Sequence, residues 1–248
     1  MLLLLPPSET KREGGPEGTA LDLDALSFPQ LASARRAALA ELRALSTNLE
    51  TAAAALKLGP KGAPEAAKNR VVRSSPVLPA LDRFDGVLFD ALEAGRLTAA
   101  QREFAARHVA VHSALFGLLG ALDPIPSYRL SHDSRLPGRT LKGIWRERTG
   151  ELLAAHPGLI IDARSEGYAA LGPLPRRPDA VFLRVVSEDA GGRKRALNHF
   201  NKQAKGRFAR AIVESGEVHE DVAGLLAWAA RSGWRLETGA PGELDLVV

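Results

Sequence analysis

The sequence predicts a mixed α/β (α+β) fold: a single compact domain over residues 1–248, with a central sheet, flanking helices and a basic cleft. Strand-like apolar segments stand at both ends of the chain and in its middle, and segments of helical periodicity lie between them. Of the 248 residues, 45% are hydrophobic and 25% charged, which is ordinary for a globular protein. No internal repeat, low-complexity tract or long linker indicates a domain boundary.

The N-terminal half is expected to begin with a strand and continue with two helices. Residues 1–5 are apolar and end at Pro6 and Pro7, which predicts a buried strand too short for a signal peptide or a membrane span. Residues 31–58 carry leucines at helical spacing and predict one long amphipathic helix. Thr98 and Gln101 fit a capping box. The helix that they begin is expected to bury four side chains: Phe104, His108, Val111 and Leu115.

The C-terminal half is expected to carry most of the strands. A hairpin is predicted at residues 191–192, a glycine pair that suits a tight turn. The predicted strands span residues 159–161, 181–186, 193–200 and 243–248, and helices are predicted from residue 201 onward and over residues 225–231.

The composition excludes several kinds of site. There is no cysteine, so a disulfide, a thiolate metal site, an iron–sulfur cluster and a redox-active thiol are all ruled out. His108 and His112 stand four apart in a predicted helix, but the glutamate of a zinc protease and a third ligand are lacking. We therefore expect neither a metal site nor a cofactor.

Basic residues are concentrated in two segments. Residues 176–210 hold ten Lys or Arg against three acids, and residues 129–148 hold six against two, although the whole chain carries a net charge of only +4. The rest of the chain is therefore acidic overall. Segregation of this kind favours a positive cleft, and nucleic acid is the commonest partner for it.

The most basic stretch, residues 193–210, holds seven Lys or Arg and no acid. A polar cluster that includes Asn198 and His199 is predicted to lie at a strand-to-helix junction. On the following helix, Lys202, Lys205 and Arg210 are expected to share one face, opposite the apolar residues, where they could hold phosphates. An ordinary solvated basic face is the alternative.

Five motifs resemble the bacterial YaaA family of peroxide-stress proteins. They are LLLLPPSETK, which ends at Lys11; FGLLGALDPIPSYRL from residue 116; IIDARSEGY from residue 160; NHFNKxxKGxxxR from residue 198; and a C-terminal GELDL. The matches occur in this order along essentially the whole chain. The resemblance implies a single-domain cytoplasmic protein of mixed α/β fold that binds DNA and helps to limit free iron during oxidative stress.

Two further segments are candidates for DNA contact. The FGLLG stretch resembles the glycine hairpin of helix-hairpin-helix modules, in which backbone N–H groups hold a phosphate; glycines that end a helix explain it equally well. Tyr128 could stack on an unpaired base beside the guanidinium groups of Arg129 and Arg135, or it could close a loop over the core. The predicted nucleic-acid-binding residues are Lys11, Gly117, Gly120, Tyr128, Arg129, Arg135, Asn198, Lys202, Lys205, Arg207 and Arg210.

Polar residues directly after the predicted strand at 159–161 suggest a catalytic site. Asp162 or Glu166 could act as a general base, kept ionised by Lys202 or Lys205, and His199 is a further candidate. Alternatively, Ser165 caps the next turn and Glu166 forms a structural ion pair.

Two functions from different classes follow. The first is a protective DNA-binding protein that engages double-stranded or branched DNA with little sequence preference, mostly through phosphates. The second is an enzyme that acts on a nucleobase or nucleotide. A direct iron-binding protein is a third possibility, disfavoured by the shortage of histidine and cysteine ligands.

Overall fold

The computed structural model describes residues 1–59, 62–189, 191, 193–196 and 201–248. Its strands are β1 (Leu2–Leu5), β2 (Val77–Pro79), β3 (Val109–Ser113), β4 (Gly117–Gly120), β5 (Pro124–Pro126), β6 (Ile160–Asp162), β7 (Ala180–Glu188), β8 (Lys194–Ala196), β9 (Leu236–Thr238) and β10 (Glu243–Val247). Its helices are α1 (Ala32–Leu45), α2 (Leu49–Ala55), α3 (Ala63–Ala67), α4 (Ala80–Arg83), α5 (Val87–Leu92), α6 (Ala99–His108), α7 (Leu141–Ala155), α8 (Glu166–Ala169), α9 (Asn201–Ser215) and α10 (Val222–Arg231).

Eight of the described strands form one mixed sheet in the order β4-β3-β1-β6-β7-β10-β9, with β8 paired to β7. Strands β3, β1, β6, β7 and β10 run parallel, whereas β4, β8 and β9 are antiparallel to their neighbours. A separate two-stranded sheet joins β2 to β5. The predicted mixed α/β domain is confirmed.

Strand β1 lies in the middle of the parallel region. Leu3 pairs with Val109 on one side and with Ile161 on the other. All four of its leucines are buried, which is usual for a central parallel strand covered on both faces. The predicted buried first strand is confirmed.

Helix α9 packs closely against α5 and also contacts α6 and β7. The close approach depends on Gly206. A Cβ built at this position would lie 2.2 Å from the main-chain oxygen of Leu88 and 2.8 Å from the Cβ of Ala91, so only glycine fits.

Two predicted helices end earlier than expected. The helix predicted over residues 31–58 is broken between α1 and α2. The Ser46 hydroxyl donates to the Leu42 carbonyl at 2.7 Å where α1 ends. Asn48 then caps α2 by accepting a hydrogen bond from the Thr51 N–H.

The capping box of Thr98 and Gln101 is confirmed at the start of α6, but that helix ends at His108. Val111 and His112 belong to strand β3, so the two histidines share no helix face. Across the described ranges, no helix is both long and apolar enough to cross a membrane.

Candidate functional site

A polar cavity lies where β1 and β6 end. These strands are parallel neighbours, but the chain continues from β1 toward β3 and from β6 toward β7, on opposite sides. Open α/β sheets bind ligands at such switch points, outside the carboxyl ends of the strands. The cavity volume of about 460 Å³ is typical of small-molecule sites. The lining consists of residues 6–10, Leu88, Ser131, His132, Ala163, Ser165, Tyr168, Asn201, Lys202 and Lys205.

Lys205 is the buried cation of this cavity, with only 5% of its surface exposed. Its Nζ donates to the Arg164 carbonyl at 3.3 Å and lies 5.2 Å from the centre of the Phe182 ring. Among the described residues, no carboxylate oxygen lies within 4 Å of this amine. The predicted position on an exposed basic face is therefore wrong: Lys205 lies on the inner side of α9, between buried Ala204 and Gly206.

Burial lowers the pKa of Lys205 to about 8. The charge of Asp162 acts in the opposite direction, Arg184 lowers this pKa further, and Glu166 raises it. Because loss of hydration is the largest effect, the amine gives up its proton more readily than an exposed lysine does.

Other polar groups complete the wall around Lys205. The Oδ1 atom of Asn201 is buried and has no hydrogen-bond partner within the part of the chain that the structure describes. Lys202 is exposed at the rim. Tyr168 is buried, and His132 packs against its ring edge-to-face at 5.1 Å. Burial raises the pKa of Tyr168, so its hydroxyl remains protonated.

Lys11 anchors the loop that follows β1. Its Nζ donates to the carbonyls of Ser8 and Glu9 at 3.0 and 3.1 Å and lies 4.1 Å from the centre of the Tyr128 ring. Desolvation, and to a smaller extent the charge of Arg129, lowers the pKa of Lys11 to about 7. Only 5% of Lys11 is exposed and its amine is bonded within the protein, which disfavours the predicted contact with DNA.

Tyr128 and Arg129 hold the same loop. The Tyr128 hydroxyl forms a hydrogen bond of 2.7 Å with the Ser113 hydroxyl, and its ring is buried edge-to-face on Phe116. Tyr128 therefore closes a loop over the core and cannot stack on a base. Arg129 forms an ion pair with Glu9, a residue of the cavity wall. Positioning of the loop, and not phosphate binding, accounts for both side chains.

Asp162 is fully buried and paired with Arg164, which is also fully buried. Its carboxylate accepts three hydrogen bonds from Arg164, of 3.0, 2.8 and 2.6 Å. Arg164 also contacts His112 Nδ1 at 2.7 Å and donates to the Gly172 carbonyl at 2.8 Å. Asp162 is therefore a structural ion and not a general base, and its partner is Arg164, not Lys202 or Lys205.

Glu166 has the opposite environment. It begins α8, its side chain is 79% exposed, and it lies 3.4 Å from Arg184 in a surface ion pair. Ser165 occupies the N-cap position of α8, but its hydroxyl makes no capping hydrogen bond, and the residue lines the cavity. The structural alternative describes Glu166 better than the catalytic one.

The glycines of FGLLG are buried in strand β4, so the helix-flanked hairpin is not present. Gly117 has φ +67° and lies so close to Trp145 that a Cβ would be 2.6 Å from its ring. The Gly120 N–H donates to the Asp123 carboxylate at 2.9 Å. Because this donor is already used inside the protein, it is not free to bind a phosphate.

Exposed basic side chains remain on α9 and on the segment before and along α7. Arg135 is exposed, as are Lys202 and Arg207 on α9, whereas Arg210 pairs with Glu93 and Glu214. The segment before and along α7 adds Arg139, Lys142, Arg146 and Arg148, all exposed. No carboxylate of the described residues lies within ion-pair distance of these four or of Arg135.

Asn198 and His199 lie outside the described residues. In the part of the chain that the structure describes, no three His, Asp or Glu side chains gather as a metal site would need.

A larger cleft of about 820 Å³ lies at the opposite ends of β7 and β10. It is lined mainly by proline, glycine and aliphatic residues. Its Arg177 already donates to the carbonyls of His156 and Gly158, both at 2.7 Å. Because the lining of this cleft is mostly apolar and two carbonyls already occupy Arg177, we place the candidate site at the smaller cavity.

Comparisons with known proteins show the family of this chain. The family described as "Peroxide stress protein YaaA" matches residues 1–238. A UPF0246 protein of Corynebacterium efficiens is 43% identical over 256 residues, which cover the whole of both chains. A UPF0246 protein of Corynebacterium glutamicum strain R is 41% identical over 96% of this chain and 95% of its own length. One of Streptomyces coelicolor is 38% identical over 98% of this chain and 94% of its own. The chain belongs to the YaaA family of peroxide stress proteins.

Proposed function

We propose that this chain is a DNA-binding peroxide-stress protein that contacts DNA phosphates through exposed basic side chains bordering the cavity. The observation that carries this function is the segment from Arg135 to Arg148, whose cations have no carboxylate partner among the described residues. Exposed cations that are not paired with a carboxylate keep their charge for an external anion, and phosphate contacts supply most of non-specific DNA affinity.

The chain connects both basic regions to the cavity. His132, in the loop before α7, and Lys202, at the start of α9, both line it. Arg146 reaches the Ala170 carbonyl at the end of α8, and α8 itself begins at the cavity. The proposal requires that a phosphate backbone runs from α7 past α8 to Lys202.

Titration of duplex DNA at several salt concentrations tests this function. Each phosphate neutralised contributes about 0.9 to the slope of log affinity against log salt, so Lys202→Ala and Arg146→Ala should each flatten the slope by about that amount. Arg231→Ala is the matched control, because Arg231 is equally exposed but pairs with Glu217 away from the cavity. A flat salt dependence of the wild type would reject phosphate binding.

The family resemblance extends the proposed role to the control of free iron. A direct iron site is not part of it, since the described residues offer no cluster of suitable ligands. We expect peroxide-treated cells that express the Lys202→Ala, Arg146→Ala double variant to accumulate more DNA damage than cells with the wild type. Chelatable iron measured in the same cells shows whether the iron effect depends on DNA binding.

A second candidate function is an enzyme acting on a nucleobase or nucleotide, favoured by the cavity at the switch point and by Lys205 in its wall. Asp162 is not available for it, and Glu166 is the remaining carboxylate nearby. A positioned general base contributes about 10²–10⁴-fold in rate, so Glu166→Gln should abolish turnover of a nucleoside or nucleotide if Glu166 is that base. Unchanged turnover would exclude Glu166 from the chemistry.

A further inference from the structure

Two lysines are buried among the described residues, and their environments differ. Lys11 gives two hydrogen bonds to carbonyls and lies between the rings of Tyr128 and Phe84. Lys205 gives a single hydrogen bond of 3.3 Å. The packing of Lys11 explains its role as an anchor. Lys205 has no comparable use within the described residues, although burial of an ammonium group is costly.

Lys205 also has the form of a reactive amine. It lines a cavity large enough for a small substrate, lies above an aromatic ring and has no carboxylate partner among the described residues. Burial lowers its pKa to about 8, so the neutral amine is far more populated near neutral pH than it is in an exposed lysine. A desolvated neutral lysine is the usual nucleophile toward a carbonyl carbon.

The groups beside Lys205 indicate what else the substrate carries. Lys202 stands one turn earlier on the same side of α9, at the rim. The first turn of this 15-residue helix contributes Asn201 and Lys202 to the cavity, and helix N-termini favour anions. Ser8, Thr10 and Ser165 line the same space. These groups suit a phosphate and a polyhydroxylated body.

We propose that Lys205 forms an imine with the aldehyde carbon of a sugar phosphate bound in this cavity. The neutral amine attacks the aldehyde carbon and forms a carbon–nitrogen bond. Both protons of the amine then leave with the former carbonyl oxygen as one molecule of water, and the imine remains. No oxidant or reductant is needed.

Two sources supply this chemistry. One is the ring-opened deoxyribose of an abasic site in damaged DNA, a substrate that rests on the proposed DNA binding. The other is a free aldose phosphate, which does not. The cavity requires only the aldehyde and the phosphate, so the two are separated by experiment.

The test is reductive trapping of the full-length protein with borohydride. The probes are a duplex with one abasic site, the same duplex without it, and glyceraldehyde 3-phosphate. Borohydride reduces an imine to a stable secondary amine, which peptide mass spectrometry locates. We expect a single adduct on Lys205 with at least one aldehyde probe and none with the intact duplex.

Variants separate reactivity from folding. Lys205→Met keeps most of the side-chain volume and Lys205→Arg keeps the charge, and both should lose the adduct. Lys57→Ala is the control, since Lys57 is an exposed lysine paired with Asp133 outside the cavity, and it should trap as the wild type does. If either Lys205 variant fails to fold, the adduct position in the wild type still decides.

The proposed imine would be overturned if the adducts were spread over the exposed lysines. It would also be overturned if Lys205→Met gave as much adduct as the wild type. DNA affinity of the same samples identifies which step fails. An adduct on Lys205 with the free aldose phosphate and no DNA affinity would support the imine and reject DNA binding. Salt-dependent DNA affinity with no Lys205 adduct from either aldehyde would reject the imine and leave DNA binding intact.

Discussion

Replacement of Asp162 by asparagine should strongly destabilise the protein. The Asp162 carboxylate and the Arg164 guanidinium are both fully buried, and Asp162 accepts three hydrogen bonds from Arg164. The substitution keeps the side-chain shape but removes the negative charge. It leaves the Arg164 cation buried beside the ring of His112. Burial lowers the pKa of His112 well below its usual value, so this ring is neutral.

The expected loss is about 3–5 kcal/mol of unfolding free energy, the usual result when one partner of a buried pair is removed. For a chain of this size, 1 kcal/mol lowers the melting temperature by about 2–4 °C, so the melting temperature should fall by roughly 6–20 °C. Urea titration followed by circular dichroism measures the free energy directly. The double variant Asp162→Leu, Arg164→Met removes both charges and should be more stable than Asp162→Asn.

Asp24→Asn supplies the matched control. Asp24 pairs with Arg36 at 2.6 Å, but both side chains are more than half exposed, so its loss should change stability by less than about 1 kcal/mol. If Asp162→Asn costs no more than this control, water or another group compensates Arg164. Asp162 would then be free to act in the cavity, contrary to the geometry.

Two further changes test the environment of α9. The pKa of Lys205 falls from about 10.5 in the unfolded chain to about 8 in the folded one. Between these two pH values the unfolded state binds more protons, so the unfolding free energy of the wild type should rise with pH. Relative to Lys205→Met, the rise should be up to about 1.4 kcal/mol per pH unit. If the stability of the wild type and of Lys205→Met changed with pH in parallel, the pKa of Lys205 would be that of an ordinary lysine. Gly206→Ala should lower the unfolding free energy by roughly 1–3 kcal/mol, because the added Cβ has no room against α5. Gly95→Ala is the control and should leave stability unchanged, since no atom lies within 4 Å of a Cβ built there. Equal urea midpoints for the two variants would contradict the close packing of α9 on α5.

Elements with strong local signals could be predicted from the sequence. The apolar run of β1, the capping box of α6 and the closing strand β10 are all present in the structure. Predictions based on periodicity alone went wrong where a polar or β-branched residue ends an element. The leucine spacing of residues 31–58 continues through Ser46 and Asn48, whose side chains nevertheless end one helix and begin another.

The candidate site is harder to predict, because a charged residue type normally indicates an exposed side chain. Lysine is almost never fully buried, so a helical wheel places Lys205 on the solvent face, and the sequence has no local sign of the cavity behind it. Ser8 and Thr10 belong to no catalytic pattern. Their only signal is that they follow a central parallel strand, and the sheet order that makes this position a switch point depends on long-range pairing.

The exceptions to these residue preferences converge on one place. Lys11 and Arg129 hold the loop after β1, and the Asp162–Arg164 pair holds the loop after β6. The carbonyl of Arg164 in turn receives the hydrogen bond of Lys205. Each of these ions is costly to bury, and positions that break local rules are expected where function requires them. These buried charges fix two walls of the cavity, and Lys205 adds a third charged group to its lining. The cavity is therefore preorganised for a polar ligand, whereas the larger apolar cleft is not.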